Sequence, residues 1–250
     1  MEKIIDLQGL EYCSFKKKED TIVILINGDN EEILPRIKEK TIDFIFTDPP
    51  YLLNTKGGAG KSKIAQRKFK QKKDILDLCF NFNYEFIFNQ CDRIIKKKNY
   101  LFFCSDKQLP QYMNKYPEMY RVFAWNKTNA IPTVNNTMWD NLEFLIYIRE
   151  QGSYFNNDLS YEEKSKLITT PIMDQSRIHP TEKPQKVLAH WIKLFSKPND
   201  IVLDMFSGSG STAMTCKLLG RKCICIEKNT KFYQSSKKRL EDEFYNKFDF

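Results

Sequence analysis

The sequence predicts an α/β protein with a mostly parallel sheet. Short apolar runs rich in β-branched and aromatic residues alternate with longer segments of helical character. Two of the runs end in backbone punctuation, Pro49-Pro50 and Gly208-Ser209-Gly210. The chain has 250 residues, which suits one large domain, or a domain with an insertion, able to bury a sizeable core.

In chain order, Ile22–Ile26 is unbroken and apolar, so a core strand is placed over Thr21–Asn27. Gly28-Asp29 turns the chain, and Asp29 is placed to cap a helix over Glu31–Lys38. Ile42–Thr47 is a strand that must stop at Pro49-Pro50, because proline cannot continue a ladder. A helix over Ile75–Lys97 precedes strands at Tyr100–Ser105, Tyr120–Trp125 and Leu142–Arg149. Pro184 opens a helix that runs to Ser196. Strand Ile201–Phe206, helix Ser211–Leu219, strand Lys222–Glu227 and helix Thr230–Phe244 complete the pattern. Two segments interrupt it. Leu52–Lys73 is basic and has no acidic residue, and Gly152–Ile178 is polar with weak periodicity. Loops of that length are usually functional or disordered.

Lys plus Arg number 40 against 32 Asp plus Glu, a formal net charge of +8. That balance suits a polyanionic partner such as DNA or RNA, or else a solvated lysine-rich face. Seven cysteines lack any C-x-x-C pair and there are two histidines, which argues against a metal site. Scattered thiols fit a reducing cytoplasm. No secretory leader or membrane-length apolar stretch is visible.

Three motifs carry chemistry. Asp48-Pro49-Pro50-Tyr51 sits at a strand's C-terminal end, where open α/β sheets place their sites. Taken alone it is either a Pro-Pro turn with Asp as turn former, or an acceptor beside a flat ring, suited to a planar amino-bearing base. Ile201–Ala213 is a strand, a glycine turn and a helix start, with Gly208, Gly210 and Ala213 fitting G-x-G-x-x-[GA]. The next strand ends in Glu227, placed to accept from ribose hydroxyls. Asp204 and Asp29 at the same sheet edge would repel a pyrophosphate and tolerate a cation. If both face the pocket, S-adenosylmethionine (AdoMet) is favoured over a dinucleotide. Gly60-Lys61-Ser62 mimics the end of a P-loop, but the first required glycine falls on Thr55. The third motif, His179-Pro180-Thr181-Glu182-Lys183-Pro184, is by its residues alone an extended dipeptide before a helix start.

Together these motifs resemble the bacterial and phage DNA amino-methyltransferases. The catalytic motif precedes the glycine motif, as in the beta group of that family. The resemblance implies a Rossmann-like AdoMet-dependent methyltransferase fold, with a mostly parallel sheet and helices on both faces. It would be circularly permuted and carry a small inserted target-recognition region. A single domain over 1–250 would contain a DNA-contacting loop at 52–73 and target recognition at about 126–178. Carried over to this chain, Asp48, Pro49, Pro50 and Tyr51 are catalytic. Asp29, Asp48, His179, Thr181, Lys183, Asp204, Phe206, Gly208, Ser209, Gly210 and Glu227 serve the cofactor. Met205 stands where the family often has proline, with no functional consequence expected.

On this expectation Asp48 and the Pro49 carbonyl accept the two N–H bonds of an exocyclic amino group, and Tyr51 stacks on a flipped base. Asp at the first motif position points to adenine N6. Cytosine N4, or a catalytically silent nucleic-acid-binding subunit, are the alternatives. Double-stranded DNA is the expected partner, with Lys56, Lys61, Lys63, Arg67 and Lys68 on its phosphates. Asn126, Lys127 and Arg177 are the candidate readers of the target, beside Asn129, Asn135 and Asn136. Trp139 has the ring to wedge or stack against a base, but its neighbour strand Leu142–Arg149 favours a place in the core. A homodimer is an option; no membrane and no metal are expected.

Overall fold

The structure, a computed structural model, describes residues 1–17, 20–50, 83–130, 139, 141–172 and 183–245. Among these the elements are β1 (Glu11–Lys17), β2 (Asp20–Asn27), α1 (Asn30–Ile33), β3 (Phe44–Thr47), α2 (Tyr84–Ile94) and β4 (Asn99–Cys104). There follow α3 (Leu109–Lys115), β5 (Tyr120–Lys127), β6 (Leu142–Arg149), β7 (Leu167–Thr170) and α4 (Gln185–Phe195). The last are β8 (Ile201–Asp204), α5 (Ser211–Leu218), β9 (Lys222–Glu227) and α6 (Thr230–Tyr245).

The strands form one sheet in the order β1-β2-β9-β8-β3-β4-β6-β5-β7. All neighbours pair in parallel except β1 with β2, and β6 with β4 and β5. From β8 the chain moves outward to β9, and from β3 it moves the other way, to β4. The C-terminal ends of β8 and β3 therefore flank the crevice where an open α/β sheet takes its ligand. The strand carrying the glycine turn follows the strand carrying Asp48 in the chain yet lies beside it in space, which is the permuted order.

Successive strand residues point to opposite faces, so a sheet covered on both sides needs strands apolar at every position. β2 and β4 meet that need. Val23, Leu25, Leu101 and Phe103 enter one core with α4, α5 and α6. Ile24, Ile26, Tyr100 and Phe102 enter the other with α1, α2 and α3. The result is a three-layer fold with helices on both faces.

Leu142–Arg149 and Lys222–Glu227 have their expected bounds, and the remaining expected strands shift by one or two residues. The expected helix over Glu31–Lys38 is instead α1 followed by a 3₁₀ turn, Leu34–Arg36, with Pro35 near the start of that turn. α2 begins at Tyr84, where Asn83 caps it by accepting from the Phe86 amide at 3.0 Å. Its chain turns extended at Ile95. The polar segment expected as one loop over Gly152–Ile178 contains β7 and a 3₁₀ turn at Glu162–Lys164. β1 and α3 were not expected either. No helix among the described residues is long and apolar enough to cross a membrane. No cluster of three metal-binding side chains occurs among them.

Candidate active site

Beyond β8 the chain turns through Phe206–Gly210 into α5. Gly208 and Gly210 have φ of +49° and +76°, where L side chains are strained. They differ in what lies beside them. A Cβ on Gly210 would stand 2.3 Å from Ser236 Oγ of α6, whereas one on Gly208 would meet no described residue within 4 Å. The backbone at Gly208 thus faces open space. Glu227, at the end of β9, anchors the turn by accepting from the Gly208 amide at 2.8 Å and the Asn229 amide at 2.7 Å. Burial raises its pKa, with those two amides opposing. Arg239 donates to Ser209 O and Ser211 Oγ from α6.

One side chain joins the two strands of the crevice. Thr47 Oγ1 donates to Asp204 Oδ1 at 2.7 Å and accepts from the Met205 amide at 3.1 Å. Met205 therefore matters structurally, because proline there would lack that N–H. Asp204 is buried, and desolvation lifts its pKa to about 6 against the donors Thr212, Thr47 and the Phe206 amide. Thr47→Val should lower unfolding free energy by about 1–3 kcal/mol, since two buried partners lose a bond. Thr47→Ser should retain most of it. Urea titration measures both.

Asp48, one residue beyond β3, belongs to a chain of alternating charges that is partly exposed at Asp48 and buried at Glu143. Lys183 donates to Asp48 Oδ2 at 2.6 Å and pairs with Glu143 Oε1 at 2.7 Å. Glu143 Oε2 pairs with Lys127 at 2.9 Å. Burial disfavours the Lys183 ammonium, but Asp48 and Glu143 outweigh it and hold its pKa above the usual lysine value. Gln108, fully buried, fixes the next part of the motif. Its Nε2 donates to Pro50 O at 3.1 Å and Tyr84 OH at 2.8 Å, while its Oε1 accepts from Ser105 N and Oγ. The Pro50 carbonyl is therefore engaged by protein.

Thr47, Asp48, Phe103, Lys183, Asp204, Phe206, Gly208 and Ser209 border one cavity. The expected catalytic carboxylate and the glycine turn thus share a wall. Asp29 is not on that wall. It accepts from the Glu31 amide at 2.9 Å as the cap of α1 and pairs with Lys228. Burial would raise its pKa, but Lys228 and the amide outweigh that and lower it. The condition placed on Asp29 and Asp204 is met by Asp204 alone.

Lys127, expected on DNA, turns inward to Glu143, with its ammonium 5.3 Å from the Trp125 ring centre. Asn126 accepts from Asn141 Nδ2 at 2.9 Å, tying β5 to the residue before β6. Trp139 corrects the expectation of a core residue. It is 60% exposed, and its Nε1 donates to Ala130 O at 2.6 Å. It precedes β6 by three residues, so the strand does not carry it inward. Tyr51, Lys56, Lys61, Lys63, Arg67, Lys68, Arg177, His179 and Thr181 lie outside the described residues, as do Asn135 and Asn136. Sequence reasoning missed Glu143, Gln108 and Thr47. Glu143 interrupts the apolar pattern of its strand, a signal that a buried charge has a partner.

The sequence pattern of the DNA methylase family of N6/N4 methyltransferases matches residues 42–238. The chain is a DNA methylase of that family. Among curated relatives, this methylase is similar to the type II methyltransferase M2.LlaDCHI of Lactococcus lactis subsp. cremoris. The two are 28% identical over 90% of this chain and 91% of the relative. It is also 27% identical to type II methyltransferase M.HinfI of Haemophilus influenzae, over 89% and 69% of the respective chains. Among solved structures, PvuII DNA methyltransferase, described as cytosine-N4-specific, matches with a TM-score of 0.66 at 15% identity, covering 90% of each chain. M1.HpyAVI in complex with SAM matches with a TM-score of 0.63 at 23% identity, covering 88% of this methylase and 100% of that chain. These likenesses establish the methylase's fold.

Proposed function

We propose that the chain transfers a methyl group from AdoMet to the exocyclic N6 of adenine in double-stranded DNA, after the base has been flipped out. The observation carrying this reading is the single cavity bordered by Asp48 and by the open backbone of Gly208. A cofactor fits that cradle where a Cβ would intrude, and the Asp204 carboxylate in its wall suits a cation better than a pyrophosphate. The SAM held by M1.HpyAVI, which shares the fold, adds support. Phe206, Gly208 and Ser209, which border the cavity, are the residues to hold it, with Gly210 shaping the turn and Glu227, His179, Thr181 and Lys183 as further contacts.

When bound, AdoMet supplies an electrophilic methyl on a sulfonium. The protein's task is to prepare the nitrogen. An exocyclic amine is a poor nucleophile because its lone pair is delocalised into the ring. Asp48 accepts one N–H and the Pro49 carbonyl the other, which draws the nitrogen toward tetrahedral geometry. Gln108 already engages the Pro50 carbonyl, so Pro49 supplies the second acceptor. Tyr51 stacks on the base. The catalysis is then positioning and electrostatics, with no covalent intermediate.

Asp48 favours adenine, because the resembled family usually places Asp there for N6 and Ser for N4 in the beta group. The likeness to a cytosine-N4-specific enzyme keeps N4 as the second reading. Incubation with AdoMet and plasmid DNA, digestion to nucleosides and base-resolved mapping decide between them. N6-methyladenine is expected; N4-methylcytosine alone overturns the adenine assignment. Loss of AdoMet binding with DNA binding retained would mark a silent subunit.

The basic loop at 52–73 and the region at about 126–178 are proposed as the phosphate and target contacts. Replacing Lys61, Lys63, Arg67 and Lys68 by Ala should flatten the salt dependence of DNA binding by about 2–4 in log–log slope. An unchanged slope removes the loop from the interface. A cytoplasmic site of action and a homodimer belong to the same reading; light scattering tests the homodimer.

A further inference from the structure

We propose that Glu143 is a positioning residue for methyl transfer, holding the Lys183 ammonium in a shared seat so that it keeps Asp48 charged without capping it. The proposal rests on Asp48 as the acceptor of the substrate amino group.

β6 runs antiparallel to β4 and β5, so its first residues arrive at the edge where the parallel strands end. Glu143, its second residue, is 8% exposed. One oxygen faces Lys183 at 2.7 Å and the other faces Lys127 at 2.9 Å. Lys183 in turn stands 2.6 Å from Asp48 and 4.8 Å from the Phe103 ring centre. Two carboxylates and two ammoniums thus alternate, and their formal charges cancel. Such a chain is a poor device for stability, because well-packed apolar residues often serve as well or better. Its position argues for function instead: it ends on the carboxylate that must accept a substrate N–H.

Glu143 and Lys183 act on Asp48 in opposite senses. Without the Glu143 charge, Lys183 is drawn toward Asp48, and its donors compete there with the substrate amine. Without Lys183, the buried Glu143 carboxylate and the partly exposed Asp48 carboxylate lose the ammonium between them and repel each other. Neutralising Glu143 should therefore harm the chain that has Lys183 and help the chain that lacks it.

The test measures single-turnover methylation of DNA at saturating AdoMet and DNA for the full chain, Glu143→Gln, Lys183→Met and the double variant. Glu143→Gln should slow transfer about tenfold or more in the natural chain, and speed it about threefold or more in the Lys183→Met chain. Glu143→Asp, which keeps the charge, should recover at least about half of the lost rate. A slowing by the same factor in both backgrounds, or no slowing in the natural chain, overturns the proposal, because a structural role is indifferent to Lys183. Thermal unfolding of each variant identifies loss of fold, in which case the Glu143→Asp rescue and the Lys183→Met pair decide. Asp48→Ala separates the two levels. If it still methylates, the assignment of Asp48 falls; if it is silent while Glu143→Gln acts equally in both backgrounds, only the inference falls.

Discussion

Asp48→Ala should reduce methyl transfer about 10³-fold or more, with AdoMet affinity changed by no more than about threefold. The alanine removes the side-chain acceptor that holds the amino group and leaves only the Pro49 carbonyl of the proposed pair. The fold should survive, because Lys183 keeps its second carboxylate, Glu143, at 2.7 Å. Burial of an unpaired ammonium, the usual danger in breaking such a pair, is thereby avoided. Single-turnover kinetics with tritiated AdoMet give the rate, and equilibrium dialysis gives the affinity. Transfer at the normal rate would remove Asp48 from the mechanism.

Gly208→Val should weaken AdoMet binding by about 100-fold or more while leaving a folded protein. The new side chain has room among the described residues, none of which lies within 4 Å of the added Cβ. That room is the space assigned to the cofactor. A φ of +49° adds strain of about 1 kcal/mol or more for a β-branched residue. Gly210→Ala supplies the contrast. Its Cβ meets Ser236 Oγ at 2.3 Å inside the protein, so it should lower the unfolding temperature rather than obstruct AdoMet directly. Calorimetric titration and thermal unfolding on the two variants separate a cradle from a packing position. Equal affinity in Gly208→Val and the natural chain would move the cofactor elsewhere.

Local signals made the centre of the fold legible. β-branched and aromatic runs mark β2, β3, β8 and β9, and proline and glycine mark where they stop. The edges were less legible. β1 carries Glu11, Lys16 and Lys17, and only Phe15 of its seven residues is buried. β7 has four residues, of which Ile168 and Thr170 are buried. Edge strands bury one side and so lose the continuous apolar run that reveals central ones. In the site, motif residues could be named because they cluster in sequence. Their partners could not: Thr47 reaches Asp204 across 157 positions, and Lys183 reaches Asp48 across 135. Lys127 shows the limit most directly. Its charge suggested DNA, but a buried Glu143 on the neighbouring strand takes it.

The strand order also dictates when the crevice can exist during synthesis. β3 pairs with β8, and β2 with β9, so the middle of the sheet is closed by segments translated after all the other described strands. A ribosome-bound chain that has reached α4 holds Asp48 but has no Gly208 turn beside it, and the inner edges of β2 and β3 still lack their partners. Such long-range pairings pay their loop entropy late and fold slowly. The nascent protein therefore passes through an aggregation-exposed interval with two open strand edges, and it cannot capture its cofactor until β8, β9 and the glycine turn between them have docked.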